Sequence, residues 1–342
     1  MIRTMFRMFA KAFVGLIGLS VGLLCALTVL FSFIASVNGI SGSQPGLRLL
    51  PDAQGVIKPL GKEAPIVAVI ELNGEISRSN QTYKQIQAYF SDMDKDLFKK
   101  RLKGVVFHIS SPGGEVFEVN QIYSFVQDWK NRRQVPLYIY VDGLCASGGY
   151  YIACAGDKIC TGDIGIVGSV GIVSSPFFNV KEALTKIGVN SLILSSGKDK
   201  ATLNPFMDWT DQEKDKRQDL LNFFYDKFVS IVTENRKSLS KERLVDFLGA
   251  DIFYPEQALS EGLVDQINVS RNQVIEELTE TVGIKENYRV IGLGKDNWWK
   301  KVVLTLCRSP LVSGQIKHEV TLTDLETTSA PCGYLYDGLI SG

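Results

Sequence analysis

The chain has 342 residues, 37 Lys and Arg against 37 Asp and Glu, only two His, and 45% apolar residues. A formal net charge of zero argues against a nucleic-acid-binding protein, which usually carries a basic excess. A charged fraction of 22% with 10% aromatic residues argues against wholesale disorder. The length allows one large domain with appendages or two small domains.

The first predicted element is a membrane anchor over residues 12–37, which contain no Asp, Glu, Lys or Arg. As a helix, this run is long enough to cross a hydrocarbon core of about 30 Å. Arg3, Arg7 and Lys11 precede it. The positive-inside rule therefore predicts a cytoplasmic stub, 1–11, and an extracytoplasmic body on the inner or plasma membrane. A cleaved signal peptide is the alternative, but its apolar core is usually only about 7–15 residues long.

Beyond the anchor, residues 38–63 are rich in Gly, Pro and polar residues and indicate a linker. Apolar strands then alternate with amphipathic helices over 64–270, which predicts an α/β domain with a mostly parallel sheet. The less patterned segment 271–342 is expected to form a C-terminal appendage. The predicted strands are 66–73, 104–110, 136–142, 158–161, 164–173 and 190–195. The predicted helices are 80–101, 115–131, one opening at 147, a long one beginning with a Thr210–Glu213 capping box, and two short ones within 241–267.

Metal and cofactor chemistry is not indicated. The six Cys lie at 25, 145, 154, 160, 307 and 332, without the paired spacing of a zinc site. Cys145, Cys154 and Cys160 fall in apolar segments and are expected to be small buried hydrophobic residues. A Cys307–Cys332 disulfide is possible outside the cytoplasm, but the sequence leaves it open.

Two glycine-marked turns follow two of the predicted strands. The first is Ser111-Pro112-Gly113-Gly114 and the second is Ala146-Ser147-Gly148-Gly149, which opens a helix. Such glycines let backbone N–H groups point at a ligand, as an oxyanion hole for acyl chemistry requires. Each turn alone is a weak signal, and Ser147 alone would read as a helix N-cap. Together, at the ends of two buried strands, they favour Ser147 as a nucleophile.

A serine nucleophile needs a base. His108 lies in the middle of a strand and His318 lies in the weakly patterned C-terminal segment, so neither is well placed. A Ser-Lys dyad is then the natural option, with a lysine that burial keeps neutral. Lys198 and Lys200 lie just after strand 190–195, and their chemistry alone does not choose between them.

At these residues the sequence resembles the signal peptide peptidase A family of membrane-anchored serine proteases. The resemblance covers about residues 64–268 and the anchor. The matching segments are the SPGG turn, 146–153, 165–173, 196–206 and 256–265. It implies a ClpP/crotonase-like fold and cleavage of apolar peptides, especially remnant signal peptides left in the membrane.

Carried over residue by residue, the resemblance implies a role for five residues. They are Ser147 as the nucleophile, Lys200 as the general base, Ser169 as the residue that orients the lysine, and the N–H groups of Gly114 and Gly148 as the oxyanion hole. Lys200 is chosen because it stands five residues before Pro205, as in the family's pattern, and Lys198 is the reserve. The chain contains one serine motif and one lysine loop, and so resembles the short, single-domain form of the family.

In that family the serine and the lysine come from different domains or protomers, which implies a ring-like homo-oligomer here. Two other functions stay open at this point. One is a crotonase-type acyl-CoA enzyme, which shares the glycine-rich turns but needs an acidic catalytic residue. The other is a non-catalytic membrane scaffold with a degenerate site.

Overall fold

The computed structural model describes residues 45–61, 63–284 and 286–295. The predicted stub and anchor, and residues 296–342 of the predicted appendage, lie outside these ranges. Within the described ranges, no helix combines the length and the apolar character needed to span a bilayer.

A seven-stranded sheet organises the described residues, with the strand order β1-β7-β2-β3-β4-β5-β6. The five inner strands are parallel, and the two edge strands, β1 and β6, run antiparallel to their neighbours. This arrangement confirms the predicted α/β architecture with a mostly parallel sheet. The strands are β1 (Pro45–Leu50), β2 (Ile66–Asn73), β3 (Leu102–Ser111), β4 (Leu137–Ala146), β5 (Lys158–Gly168), β6 (Ile252–Phe253) and β7 (Arg289–Lys295).

Helices connect the strands and cover both faces of the sheet. The capping box predicted at Thr210 is confirmed, because its hydroxyl accepts from the Glu213 N–H and the Glu213 carboxylate accepts from the Thr210 N–H. The helices are α1 (Thr82–Met93), α2 (Asp96–Lys99), α3 (Val116–Arg133), α4 (Gly148–Ala153), α5 (Lys181–Lys186), α6 (Asp211–Asn235), α7 (Pro255–Ser260) and α8 (Arg271–Thr281). A π-helical turn spans Arg243–Leu248.

The two faces of the sheet bury two separate cores, because successive residues of a strand point to opposite sides. On one face, Ile70 and its neighbours pack against α1, α3, α4 and the C-terminal half of α6, around Phe90 and Trp129. On the other face, Val69 and its neighbours pack against α8, around Leu278. The inner strands are therefore apolar on both sides, which explains their near-continuous apolar sequences.

Two predicted boundaries are wrong in this structure. Pro45–Leu50, placed in the linker, forms edge strand β1. Helix α8 and strand β7, placed in the appendage, complete the sheet and its second core. The pattern does not predict strand β7 because its sequence, RVIGLGK, is interrupted by glycines. It becomes a strand because it fills the position between β1 and β2.

The predicted strand 190–195 is also wrong. These residues form no regular element, and Leu192 and Leu194 are 83% and 86% exposed. An apolar run needs a neighbouring strand to become part of a sheet, and no described strand pairs with this one. The predicted strand 164–173 ends at Gly168, where β5 ends.

Candidate active site

Ser147 lies at the sharp turn between β4 and α4. Its backbone has φ 49° and ψ −121°, a strained conformation for a residue with a side chain. The Ser147 N–H donates to Gly168 O at 2.8 Å, which ties the turn to the end of β5. Its hydroxyl makes no capping hydrogen bond to α4. The N-cap explanation therefore does not account for Ser147, and the strained turn matches that of a catalytic serine.

The Ser-Pro-Gly-Gly turn packs directly against Ser147. A Cβ on Gly113 would lie 2.5 Å from Gly148 N and 2.9 Å from Ser147 Cβ, so only glycine fits. Buried Ser111 holds this turn in place, because its hydroxyl donates to Gly74 O at 2.7 Å and accepts from the Gly113 N–H at 3.1 Å. The sequence pattern does not reveal this role of Ser111.

Two backbone N–H groups are available beside the Ser147 hydroxyl. A Cβ on Gly148 would lie 3.2 Å from Gly114 N, which shows how closely the two glycines approach. Neither Gly114 N–H nor Gly148 N–H donates a hydrogen bond to another atom of the described residues. Two adjacent free donors next to a nucleophile are what an oxyanion hole requires.

Ser169, the first residue after β5, lies next to the Ser147 turn. Its preceding residue, Gly168, accepts the hydrogen bond from the Ser147 N–H. Ser169 itself has a positive φ of 55°, and its N–H donates to Asp251 O at 2.7 Å. Its partly buried side chain has no hydrogen-bond partner among the described residues, so it is free to bind an incoming group.

A cavity of about 270 Å³ opens beside Ser147. Five aromatic side chains line it, and two of them, Phe117 and Phe223, are each 66% exposed. The aromatic lining residues are Phe117, Tyr151, Phe223, Phe224 and Phe228. The apolar side of α6 contributes to the core and to this cavity. Ile231 is buried in the core, Phe224 lines the cavity, and buried Phe228 does both.

Helix α4, which begins directly after Ser147, is anchored from behind. The buried Tyr150 hydroxyl donates to Leu263 O at 2.8 Å. Asp265, two residues after Leu263, accepts a bidentate pair of hydrogen bonds from Arg236, both 2.7 Å long. Burial alone would lower the pKa of the Arg236 guanidinium, but the hydrogen bonds to Asp265 raise it above its usual value. The helix that follows Ser147 is therefore held in place by these hydrogen bonds.

Lys200 lies elsewhere. It belongs to an exposed segment, residues 173–210, which we call the arm. Its side chain is exposed and does not line the cavity at Ser147. The adjacent Asp199 accepts a hydrogen bond from Lys216, and this contact lowers the pKa of its carboxyl. Within one chain, the structure therefore brings together Ser147, Ser169, Gly114 and Gly148, and leaves Lys200 and Lys198 apart from them.

Another lysine, Lys227 on α6, lines the cavity itself. Its side chain is exposed. The sequence places it on the polar side of α6 and gives it no role, because nothing in the local pattern reveals that α6 passes Ser147. His108, in contrast, is hydrogen-bonded through its ring Nε2 to the Asp142 carboxylate at 3.0 Å and does not line the cavity.

Two family models match this chain. The model of peptidase family S49 matches residues 130–285, and the Clp protease model matches residues 67–161. A candidate protease of Methanocaldococcus jannaschii is 31% identical over 225 residues, which are 61% of this chain and 70% of that protein. A candidate signal peptide peptidase SppA of Enterococcus faecium is 28% identical over 204 residues, 60% of this chain and 58% of that protein.

The chain therefore has a ClpP-like fold and belongs to peptidase family S49, the signal peptide peptidase A family. Its match spans little more than half of the Enterococcus relative. Among solved structures, a mutant of a membrane-bound stomatin-specific protease matches with a TM-score of 0.42 and 17% identity, over 68% of this chain and 99% of that one. A TM-score and an identity this low give no support to the family assignment. Family membership argues against the acyl-CoA enzyme considered above.

Proposed function

We propose that this protein is a membrane-anchored serine endopeptidase that hydrolyses apolar peptides through a Ser147–Lys200 dyad. The observation that carries the proposal is the strained Ser147 turn, with two unpaired backbone N–H groups and an aromatic cavity beside it. The family assignment supports a peptidase, because relatives in the family are named as proteases.

The chemistry follows from the proposed roles. Neutral Lys200 Nζ takes the proton of Ser147 Oγ, which attacks the peptide carbonyl. The N–H groups of Gly114 and Gly148 stabilise the oxyanion of the tetrahedral intermediate. The proton on Lys200 Nζ passes to the leaving amine, and an acyl-enzyme remains. Water then gives a proton to Lys200, attacks the ester carbonyl and releases the acid, and the proton returns to Ser147.

The lysine is proposed to come from a neighbouring copy. A lysine base must be desolvated to lose its proton near neutral pH, and Lys200 is exposed in a single chain. The arm that carries it also exposes many apolar side chains, among them Val173 and Ile187 at 91% and 72%. A second copy that covers this arm would bury the Lys200 side chain and these apolar side chains together. A ring-like homo-oligomer, in which Ser169 orients the neighbour's Lys200, meets this requirement.

Substrate and location are part of the same proposal. The aromatic cavity favours an apolar substrate side chain next to the scissile bond. Residues 12–37 would hold the enzyme in the inner or plasma membrane with the catalytic domain outside the cytoplasm. Remnant signal peptides, which are apolar and remain in the bilayer, fit both features. No nucleic acid, metal or cofactor enters this chemistry.

The test is hydrolysis of a fluorogenic apolar peptide by the purified full-length protein. We expect Ser147→Ala to lower kcat/KM by about 10⁴-fold or more, and to abolish labelling by a fluorophosphonate probe that mass spectrometry locates at residue 147. Full activity in Ser147→Ala would reject the proposed nucleophile.

The identity of the base is tested separately with three matched variants. Lys200→Ala should be as inactive as the Ser147 variant, whereas Lys198→Ala should stay active. Lys227→Ala serves as the third variant, because it is the lysine that lines the cavity within one chain. Loss of activity in Lys227→Ala with retention in Lys200→Ala would assign the base to Lys227 and remove the need for a neighbour.

A further inference from the structure

The described lining of the cavity beside Ser147 includes a single charged side chain, that of Lys227 on α6. Phe223 and Phe224, four and three residues before Lys227, lie on the same side of the helix and also line the cavity. Lys227 is exposed, whereas the next residue, Phe228, is 1% exposed. A lysine in this setting can lay its aliphatic stem against the rings and keep its ammonium group in water. The structure thus sets a cation beside an aromatic cavity.

The charge of Lys227 has no counter-charge among the described residues. No Asp or Glu side chain of these ranges forms an ion pair with it. Two other lysines of α6 are paired, Lys214 with Asp211 at 2.9 Å and Lys216 with Asp199. A cation beside apolar walls attracts an anion more strongly than a cation in open water does. An anionic group that enters this cavity is therefore favoured.

The neutral polar groups of the cavity offer hydrogen-bond donors. The Tyr151 hydroxyl donates to Asn120 Oδ1 at 2.9 Å, and the amide NH2 group of Asn120 has no partner among the described residues. Burial raises the pKa of the Tyr151 phenol, so its hydroxyl stays protonated and remains a donor. The backbone N–H groups of Gly114 and Gly148 are donors as well. A carboxylate, which only accepts hydrogen bonds, complements this set.

We infer that Lys227 is a specificity-determining residue that binds a carboxylate of the peptide, while an apolar side chain of the same peptide contacts the aromatic rings. This role rests on the proposed function and narrows its substrate class to apolar peptides that carry a carboxylate near the scissile bond. Two groups supply such a carboxylate: an Asp or Glu side chain, and the free C-terminus of a peptide that has already been cut. The same cation disfavours Lys and Arg near the scissile bond, because like charges repel in a poorly hydrated space.

The first experiment measures binding without catalysis. Full-length Ser147→Ala protein in detergent is titrated with fluorescent, C-terminally amidated peptides that carry Glu, Gln or Lys beside a central Leu, on either side in turn. We expect the Glu peptide to bind about fivefold more tightly than the Gln peptide, as a partly exposed ion pair allows, and the Lys peptide to bind more weakly than both. The Gln peptide with a free C-terminus, compared with its amide, tests the second source of the carboxylate. Equal dissociation constants for all these peptides would overturn the inference.

The second experiment assigns the preference to Lys227. In the Ser147→Ala background, Lys227→Met removes the charge and keeps an unbranched stem, Lys227→Arg keeps the charge, and Lys227→Glu reverses it. The Gln-to-Glu ratio of dissociation constants should fall to about one in Lys227→Met, persist in Lys227→Arg and invert in Lys227→Glu. Lys214→Met, on the same helix but outside the cavity, is the matched control and should keep the ratio. A ratio that survives in Lys227→Met, or falls equally in Lys214→Met, would overturn the inference.

Cleavage by the active protein separates this role from the proposed function. The ratio of kcat/KM for the Glu peptide to that for the Gln peptide should fall from about fivefold to about one in Lys227→Met. Any effect on the Ser147–Lys200 chemistry acts on both peptides alike and cancels in this ratio. Unchanged ratios would reject the role of Lys227 and leave the peptidase in place. Failure of the wild-type protein to cleave any peptide would reject the proposed function, and the binding ratios would still decide the role of Lys227.

Discussion

The two halves of the proposed dyad lie in regions of very different construction. Around Ser147, the ends of three strands meet in a buried, hydrogen-bonded arrangement in which a single added methyl group would clash. The arm of residues 173–210, which carries Lys200, has one short helix and many exposed apolar side chains. Ser147 is thus positioned by the chain's own core, whereas the position of Lys200 depends on what covers the arm.

The largest expected effect tests whether the arm acts on a neighbouring copy. Ser147→Ala and Lys200→Ala should each lower kcat/KM by about 10⁴-fold or more when expressed alone. Co-expressed in equal amounts, they should recover about a quarter of the wild-type activity, because random assembly joins an intact serine to an intact lysine in about one site in four. Absence of recovery in an assembly that contains both chains would place the dyad within one chain.

The next largest effect is on the free energy of unfolding, and it is tested with one glycine from each region. A Cβ on Gly114 would lie 1.9 Å from the Ile76 carbonyl oxygen, so Gly114→Ala should lower the free energy of unfolding by about 3 kcal/mol. In the arm, Gly197 has φ 99° with open space around it, so Gly197→Ala should cost about 1 kcal/mol, from backbone strain alone. Urea denaturation followed by circular dichroism measures both. Equal losses would show that the arm is as tightly packed as the site.

A smaller effect compares two ion pairs. The Arg236 side chain is 9% exposed and that of Asp265 is 34% exposed. Asp265→Asn leaves the buried guanidinium without its charge partner and should cost about 2 kcal/mol, less than a fully buried pair because Asp265 reaches solvent. Asp199→Asn removes the exposed contact with Lys216 and should leave the melting temperature unchanged. A lower melting temperature for the Asp199 variant would contradict the picture of a solvated arm.

The smallest effect concerns the reactivity of a buried cysteine thiol. Burial raises the pKa of the Cys154 thiol to about 12, so at pH 8 only about one thiol in 10⁴ is ionised. Iodoacetamide should therefore leave Cys154 unmodified in the folded protein for hours. Ser196→Cys, on the exposed arm, provides the control and should react within minutes. Rapid alkylation of Cys154 under native conditions, detected by peptide mass spectrometry, would mean that the support of α4 opens readily.

Much of the fold could be predicted from local sequence. Strands β2, β3 and β4 are apolar on both faces and are bounded by turn residues, so their positions could be read directly. Strand β7 could not, because glycines interrupt it and only its neighbours β1 and β2 make it a strand. The prediction of a strand at 190–195 was wrong for the opposite reason. This run has the composition of a strand, but no described strand lies beside it.

For the site, the sequence by itself led to the proposed chemistry. Two glycine turns after apolar strands and the scarcity of histidine are enough to indicate Ser147 as the nucleophile and a lysine as its base. Only the tertiary structure decided the geometry. It brought Ser169, Ser111 and Phe224 to Ser147 from segments far along the chain, left Lys200 outside, and set the direction of β1. The reason is physical: a turn's residues are fixed by local backbone conformation, but contacts between segments depend on the order and direction of strands in the sheet, which no local pattern records.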